Sequence, residues 1–165
     1  MVSKRKTKEQ YIENILLENY DHYYRMAYSY THNEADAQDV VQNGVVKAIL
    51  YSDSLKNTEV AKAWIYRIML NETFDLLKRR KETSLDEVIV EPMQEDIYQD
   101  FDLQRVLNSM SKEDKAVIEL RYFEDLKLFE IAEILNENVS TVKSRLYRGL
   151  KKLRMELSDA WEMES

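Results

Sequence analysis

The stretch KLFEIAEILNENVSTVKSRLYRGLKKLR, residues 127–154, contains two runs of helical periodicity separated by a short polar turn. Apolar residues recur every three or four positions in both runs, as on one face of a helix: Leu128, Ile131, Ala132 and Leu135, then Val142, Leu146, Leu150 and Leu153. The pattern predicts a helix over about Lys127–Leu135 and a second over about Ser140–Arg154, with Ser140 or Thr141 as its N-cap. Two helices joined by so short a turn form a helix-turn-helix.

The second of these helices is strongly basic. Between Ser140 and Arg154 there is no acidic residue, whereas six residues are basic: Lys143, Arg145, Arg148, Lys151, Lys152 and Arg154. In a helix-turn-helix the second helix enters the major groove, and basic side chains beside it follow the phosphates. A solvated basic helix that closes a small bundle is the alternative, but so one-sided a charge favours duplex DNA.

Each exposed position of this helix has an expected role. Ser140 and Thr141 lie where hydroxyls and free backbone amides can meet a phosphate. Lys143, Ser144 and Tyr147 leave the apolar face and are expected to reach base edges or backbone. The residues expected to follow the phosphates are Arg145, Arg148, Lys151 and Lys152.

The first half of the chain predicts three long helices. The first covers about Thr7–Tyr30, the second follows Asn33 as N-cap with apolar residues as far as Leu50, and the third covers about Glu59–Lys81. Gly44 inside the second pattern predicts the close approach of a neighbouring helix. With only 2 Gly and 1 Pro and almost no alternation of apolar and polar residues, the chain is predicted to be all-α.

The net charge of −7 conceals a segmental arrangement. The third helix carries an excess of bases, and the segment from Glu82 to Gln104 has eight acidic residues and no basic one. We therefore expect two small helical domains, residues 1–81 and 99–165, joined by an acidic linker at 82–98. Distribution matters more than the sum, so overall acidity does not exclude a nucleic-acid partner.

Several classes of function find no support in the sequence. Cysteine is absent, so thiolate metal sites and disulfides are impossible, and His22 and His32 lack a metal-binding spacing. We expect no metal, no cofactor and no enzymatic activity, since neither a phosphate-binding glycine loop nor a nucleophile–base set is present. No segment has the roughly 20 apolar residues of a membrane span, which predicts a cytoplasmic protein without membrane insertion.

Two blocks of sequence resemble a known family. The motifs DAQDVVQ at 36–42, AWIYRI at 63–68 and DLLKRR at 75–80 resemble region 2 of the sigma-70 family of bacterial RNA polymerase sigma factors. The motifs RYFEDL at 121–126, EIAEIL at 130–135 and TVKSRL at 141–146 resemble region 4. With these two regions alone, the chain is similar to the extracytoplasmic-function (ECF) subfamily. It departs from the family pattern at 136–138, where Asn-Glu-Asn replaces a glycine-containing turn.

The resemblance implies a division of labour. Region 2 would be a three-helix bundle whose residues Asp36, Asp39, Val40 and Gln42 dock on the clamp helices of the polymerase β′ subunit. The loop 52–58 and the third helix would recognise and melt the promoter −10 element, through Arg67, Asn71, Lys78, Arg79 and Arg80. Region 4 would bind the −35 element and the β flap, and the linker would run toward the RNA exit channel. The family also implies a membrane-anchored anti-sigma factor as partner.

A free-standing repressor or activator is the competing hypothesis. Such a protein would use the same helix-turn-helix as a dimer on palindromic sites. Association with core RNA polymerase distinguishes the two possibilities.

Overall fold

The fold is all-α, as predicted, in a computed structural model that describes residues 4–83 and 101–164. The chain divides into two compact units, Met1–Met93 and Gln94–Ser165. The acidic linker predicted at 82–98 lies outside the described residues except for its first two positions, which extend the third helix. The boundaries at 81 and 99 stay a prediction.

The first unit contains three long helices within its described residues. They are α1 (Lys4–Thr31), α2 (Glu34–Leu50) and α3 (Ala61–Thr83), with short 3₁₀ turns at Ser52–Ser54 and Thr58–Val60 between the last two. The predicted cap of α2 is confirmed, because the side chain of Asn33 accepts a hydrogen bond of 3.0 Å from the amide of Asp36. The segment between α2 and α3, which includes the loop at 52–58, thus contains two turns, and its Leu55 is buried.

Aromatic and aliphatic side chains fill the space between these helices. Tyr23 on α1 and Tyr66 on α3 are fully buried and meet edge to face, with ring centroids 5.1 Å apart. A methyl group added at Gly44 would overlap the thioether of Met69, so α2 and α3 approach closely there, as predicted. Leu50 was expected to point inward, but it is the last residue of α2 and its side chain is 67 % exposed.

The described part of the second unit contains four α-helices, the last two of which form the predicted helix-turn-helix. They are α4 (Phe101–Asn108), α5 (Lys112–Ile118), α6 (Leu128–Leu135) and α7 (Val139–Glu164). Ser111 is the N-cap of α5, since its hydroxyl accepts a hydrogen bond of 3.2 Å from the amide of Asp114. At Gly149 of α7, an added Cβ would lie 3.0 Å from the side chain of Ile118, so α5 and α7 are in close contact.

A π-helical turn at Glu119–Phe123 continues α5 and was not expected from the sequence. The amide of Glu124 donates to the carbonyl of Glu119 over 3.1 Å, which is the wider spacing of a π-turn. Asp125 then adopts a positive φ of 54°, a conformation that Asp tolerates better than most residues. This segment ends with Leu126, whose side chain is buried.

The turn between α6 and α7 explains how Asn-Glu-Asn replaces glycine. Asn136 adopts the left-handed conformation (φ 54°, ψ 47°), which Asn reaches at lower cost than most side chains. The amide of Glu137 donates back to the carbonyl of Ala132 over 2.9 Å and closes the end of α6. The helix α7 already begins at Val139, so Ser140 and Thr141 lie in its first turn; their predicted place at the N-cap was wrong.

Candidate nucleic-acid interface

The outer face of α7 carries the exposed polar residues that the sequence singled out. Its inner face is apolar, with Val142 and Leu146 buried. The opposite face is exposed at six of the predicted positions: Ser140, Lys143, Ser144, Tyr147, Arg148 and Lys151. Thr141 is half-buried. Within the parts of the chain that the structure describes, neither Lys143 nor Lys151 forms an ion pair, so both ammonium groups are available to an anionic partner.

Two arginines of α7 are instead engaged by carboxylates from elsewhere in the unit. Arg148 donates from Nε and Nη2 to the two oxygens of Asp114 over 2.8 and 3.0 Å. Arg145 donates from Nη1 to Asp114 over 2.9 Å and from Nε to Glu137 over 2.7 Å. These hydrogen bonds, those from Arg148 foremost, hold the pKa of Asp114 below its usual range although burial opposes the shift.

The unpaired positive charge of α7 is therefore smaller than its sequence indicates. Besides the two arginines, Lys152 donates to the carbonyl of Ser109 over 3.1 Å, at the end of α4. Asp114 and Glu137 were missed by sequence reasoning. Asp114 precedes its arginine partners by 31 and 34 residues, and no local pattern reports a contact over such a separation.

The basic residues of α3 form a second candidate surface. Arg67, Asn71 and Lys78 lie on one face of this helix, at spacings of four and seven residues, and all three are exposed. Arg79 is exposed beside them. Arg80 differs from the others, because it turns toward α1 and α2, where it donates to the carbonyl of Thr31 over 2.9 Å and pairs with Asp36.

The predicted polymerase-binding residues of α2 do not share one exposed face. Asp39 and Gln42 are exposed, and Asp36 is half-buried in its pair with Arg80. Val40 is only 1 % exposed and belongs to the core between the helices. A partner cannot contact the side chain of Val40, so its assignment to the binding surface is corrected to a role in packing.

The second unit also exposes a group of aromatic side chains. Tyr122 and Phe123 at the π-helical turn are 55 % and 48 % exposed, and Phe129 on α6 is 55 % exposed. The ammonium of Lys127 lies 5.9 Å from the centre of the Phe129 ring, within cation–π range. Large aromatic residues left in water are typical of surfaces that bind other proteins.

Two other features are absent from the residues that the structure describes. No group of three or more histidine or acidic side chains is placed to hold a metal ion. No helix in the same ranges is long and apolar enough to cross a membrane.

Comparisons with known proteins assign both units to known types. The family model for Sigma-70 region 2 matches residues 15–83, and the one for Sigma-70, region 4 matches residues 100–153. The chain is 38 % identical over 161 residues to the RNA polymerase sigma factor SigV of Bacillus subtilis, covering 95 % of this chain and 97 % of that protein. It is 30 % identical to the ECF RNA polymerase sigma factor SigW of the same organism, with 84 % of each covered.

Solved structures show the same fold. The sigma factor RpoE of Bartonella quintana, crystallised with the anti-sigma factor NepR, is 25 % identical and superimposes with a TM-score of 0.75. The match covers 88 % of this chain and 96 % of RpoE. CnrH, solved with the cytosolic domain of CnrY, is 23 % identical with a TM-score of 0.65, covering 93 % of this chain and 89 % of CnrH, and supports the fold alone.

Proposed function

The chain belongs to the sigma-70 family of RNA polymerase sigma factors, in its ECF subfamily, and from this membership we propose that its two units read the two elements of a promoter. As a member, it acts in promoter-specific initiation of transcription. The finer assignment is that the second unit binds the −35 element through α7, and the first binds polymerase and opens the −10 element. The observation that carries it is the row of exposed polar residues on α7, in which Lys143 and Lys151 form no ion pair with any described residue.

Binding of the −35 element is assigned to the outer face of α7. Lys143, Ser144 and Tyr147 lie near the start of this helix, where a recognition helix meets base edges, and Lys151 lies one to two turns further on. A helix-turn-helix approaches DNA with the N-terminal end of its second helix. Residues 143, 144 and 147 therefore read the groove, and Lys151 meets phosphates. The exposed aromatic residues Tyr122, Phe123 and Phe129 precede α7 in the sequence and do not belong to its outer face. We assign them to binding of the polymerase β flap.

Opening of the −10 element is assigned to the basic face of α3. Arg67, Asn71, Lys78 and Arg79 supply charge and hydrogen-bond donors along one helix. Strand opening needs a base turned out of the stack, which costs a few kcal/mol that such contacts can offset. Arg80 is already engaged within the unit, and we assign it to holding α3 against α1 and α2.

The partners follow from the same assignment. Core RNA polymerase contacts Asp39, Gln42 and the accessible part of Asp36 through the clamp helices of β′. An anti-sigma factor is a further partner, because RpoE, which resembles this chain in fold and sequence, was solved with one. Anchoring of that factor in a membrane stays a prediction from the family.

A reconstituted initiation assay tests the proposal. Core RNA polymerase with the full chain is expected to select promoters with separated −35 and −10 elements from a pool of random duplexes and to start transcripts downstream of them. Core polymerase alone is the control. Specific binding to a palindromic site without polymerase, together with no initiation, would instead establish the repressor or activator hypothesis.

Substitution of Lys143 distinguishes base reading from phosphate binding on α7. Lys143→Ala is expected to weaken binding of the holoenzyme to a selected promoter by about 1–3 kcal/mol if the ammonium contacts a base. If it contacts only a phosphate, the slope of log affinity against log salt falls by about 0.9. Both quantities come from one salt titration of promoter affinity.

Arg154→Ala is the matched control for this titration. It removes the same charge from the same helix at an exposed position outside the proposed contact set. Lys143→Ala with the affinity and the salt slope of the wild type would place Lys143 away from DNA.

A further inference from the structure

Asp114 joins α5 to two successive turns of α7. Its side chain is only 10 % exposed, and its two oxygens accept three hydrogen bonds from the guanidinium groups of Arg145 and Arg148. Its own backbone amide is bound by the hydroxyl of Ser111, which fixes the start of α5. The carboxylate is therefore held at a defined place beside the recognition helix.

The two arginines use this carboxylate differently. The guanidinium of Arg145 donates to two carboxylates, from Nη1 to Asp114 and from Nε to Glu137, and its side chain is 21 % exposed. It thereby ties the helix-turn-helix turn and α5 to α7. These contacts within the unit give Arg145 a structural role, whereas the sequence had predicted that it contacts phosphates.

Arg148 remains available to a second anion. Only Nε and one N–H of Nη2 face Asp114, whereas a guanidinium has five N–H donors in a planar fork. The opposite edge keeps three donors and a geometry that matches phosphate or the acceptor edge of guanine. The side chain is 62 % exposed and lies between Ser144 and Lys151 on the outer face of α7.

We infer that Asp114 is a positioning residue for promoter recognition: it holds the guanidinium of Arg148 with its free edge toward DNA. The inference rests on the proposed binding of the −35 element by α7. A flexible arginine loses side-chain entropy when it binds, and an arginine already held by a carboxylate loses less. Arg145 in turn holds Asp114 in place.

The sign of one substitution separates positioning from simple electrostatics. Asp114→Asn removes a negative charge next to a DNA-binding face, so charge alone would strengthen binding. Positioning requires the opposite result, because an amide offers one acceptor where the carboxylate offered two. We expect promoter affinity of the holoenzyme to fall about tenfold, the order of one charge-assisted contact.

The experiment measures the affinity of core polymerase with the full chain for a promoter duplex selected by the wild type. Glu133→Gln is the matched control, since it removes the same charge from an exposed position on α6. We expect the control to bind as tightly as the wild type or slightly more tightly. Asp114→Asn binding as tightly as the wild type would overturn the inference.

Three further variants exclude a purely structural role: Arg148→Ala, its combination with Asp114→Asn, and Arg148→Lys. In an Arg148→Ala background, Asp114→Asn is expected to cause no further loss of affinity, whereas equal losses in both backgrounds would overturn positioning. Arg148→Lys changes an exposed side chain and keeps the charge, yet a lysine cannot bind Asp114 and DNA through two edges. It is expected to lose as much affinity as Asp114→Asn, and wild-type affinity would overturn the inference even if Asp114→Asn fails to fold.

Failure of the proposed function has a different signature. If the wild-type holoenzyme selects duplexes without a −35 element, α7 does not read that element, and the assignment fails before any variant is compared. If the wild type selects one and both Asp114→Asn and Arg148→Lys bind it normally, only the positioning role of Asp114 fails.

Discussion

Glu119→Leu is expected to lower the free energy of unfolding of the second unit by about 3–5 kcal/mol, the usual cost of removing one partner from a buried ion pair. Glu119 in the π-helical turn and Lys115 on α5 are 4 % and 3 % exposed, with 3.9 Å between the amine and the carboxylate. Lys115 also donates to the amide oxygen of Asn108 over 2.7 Å. Burial lowers the pKa of Lys115 to about 8, and Glu119 opposes that shift, so its loss leaves the buried amine without the charge that keeps it protonated.

Hydrogen exchange of the full chain, read by peptide, measures this effect for each unit separately. Amides of 112–118 are expected to exchange faster in the variant, while those of 61–70 in the first unit serve as the internal control. The double substitution Lys115→Met with Glu119→Leu is expected to recover most of the loss, because apolar replacement of a buried pair is often neutral or stabilising. A double variant as unstable as the single one would show that packing volume, not the unpaired charge, causes the loss.

The same pair links stability to the recognition helix. Helix α5 ends against α7 where Ile118 meets Gly149, and Asp114 one turn earlier holds Arg148. Loosening α5 therefore releases both contacts together. Promoter binding by the Glu119→Leu holoenzyme is expected to fall with the stability of this unit and to recover in the double variant.

The sequence predicted the helices and the cap of α2, although not the cap of α7, because helical periodicity and capping depend mainly on neighbouring residues. The apolar repeat gives the limits of the first three helices to within a few residues, and Asn33 caps α2 as expected. Helix α7 was predicted to end near Arg154, but it continues to Glu164. Leu50 fits the same repeat and is nevertheless exposed at the last residue of α2, although Ala48 in the same turn is buried. Periodicity describes a face of a helix but does not show how far its neighbours extend.

The parts that the sequence did not predict depend on contacts between distant residues. A pattern such as SKEDKAVIEL, residues 111–120, reads as an ordinary amphipathic helix, and nothing in it shows that Lys115 and Glu119 are buried. The basic run on α7 likewise indicates six available charges, although Asp114 and Glu137 engage two of them. The likeness to sigma factors could be recognised from motifs in the sequence. Only the structure distinguishes Lys143 and Lys151, which form no ion pair with described residues, from the two arginines that pair with carboxylates.

Asp39→Arg is expected to weaken binding of core RNA polymerase by about 100-fold or more, and to abolish initiation at micromolar or lower concentrations. Asp39 is an exposed acid in the middle of α2, so a partner that binds this face presents basic groups to it. Reversal of the charge replaces attraction by repulsion, and like charges forced together cost several kcal/mol. The measurement is the dissociation constant between the full chain and core polymerase, taken at two salt concentrations.

Asp21→Arg is the matched control, because it reverses the same charge at an exposed position in the middle of α1, outside the proposed contact set. It is expected to bind polymerase like the wild type. Both substitutions change surface side chains, so both variants are expected to unfold like the wild type, and a lost interaction cannot be attributed to lost structure. Added salt is expected to narrow the difference between the two variants, since it screens exposed charges. Equal losses in both variants would show that polymerase responds to the overall charge of the first unit, and the assignment of the Asp39 face as the docking surface would fail.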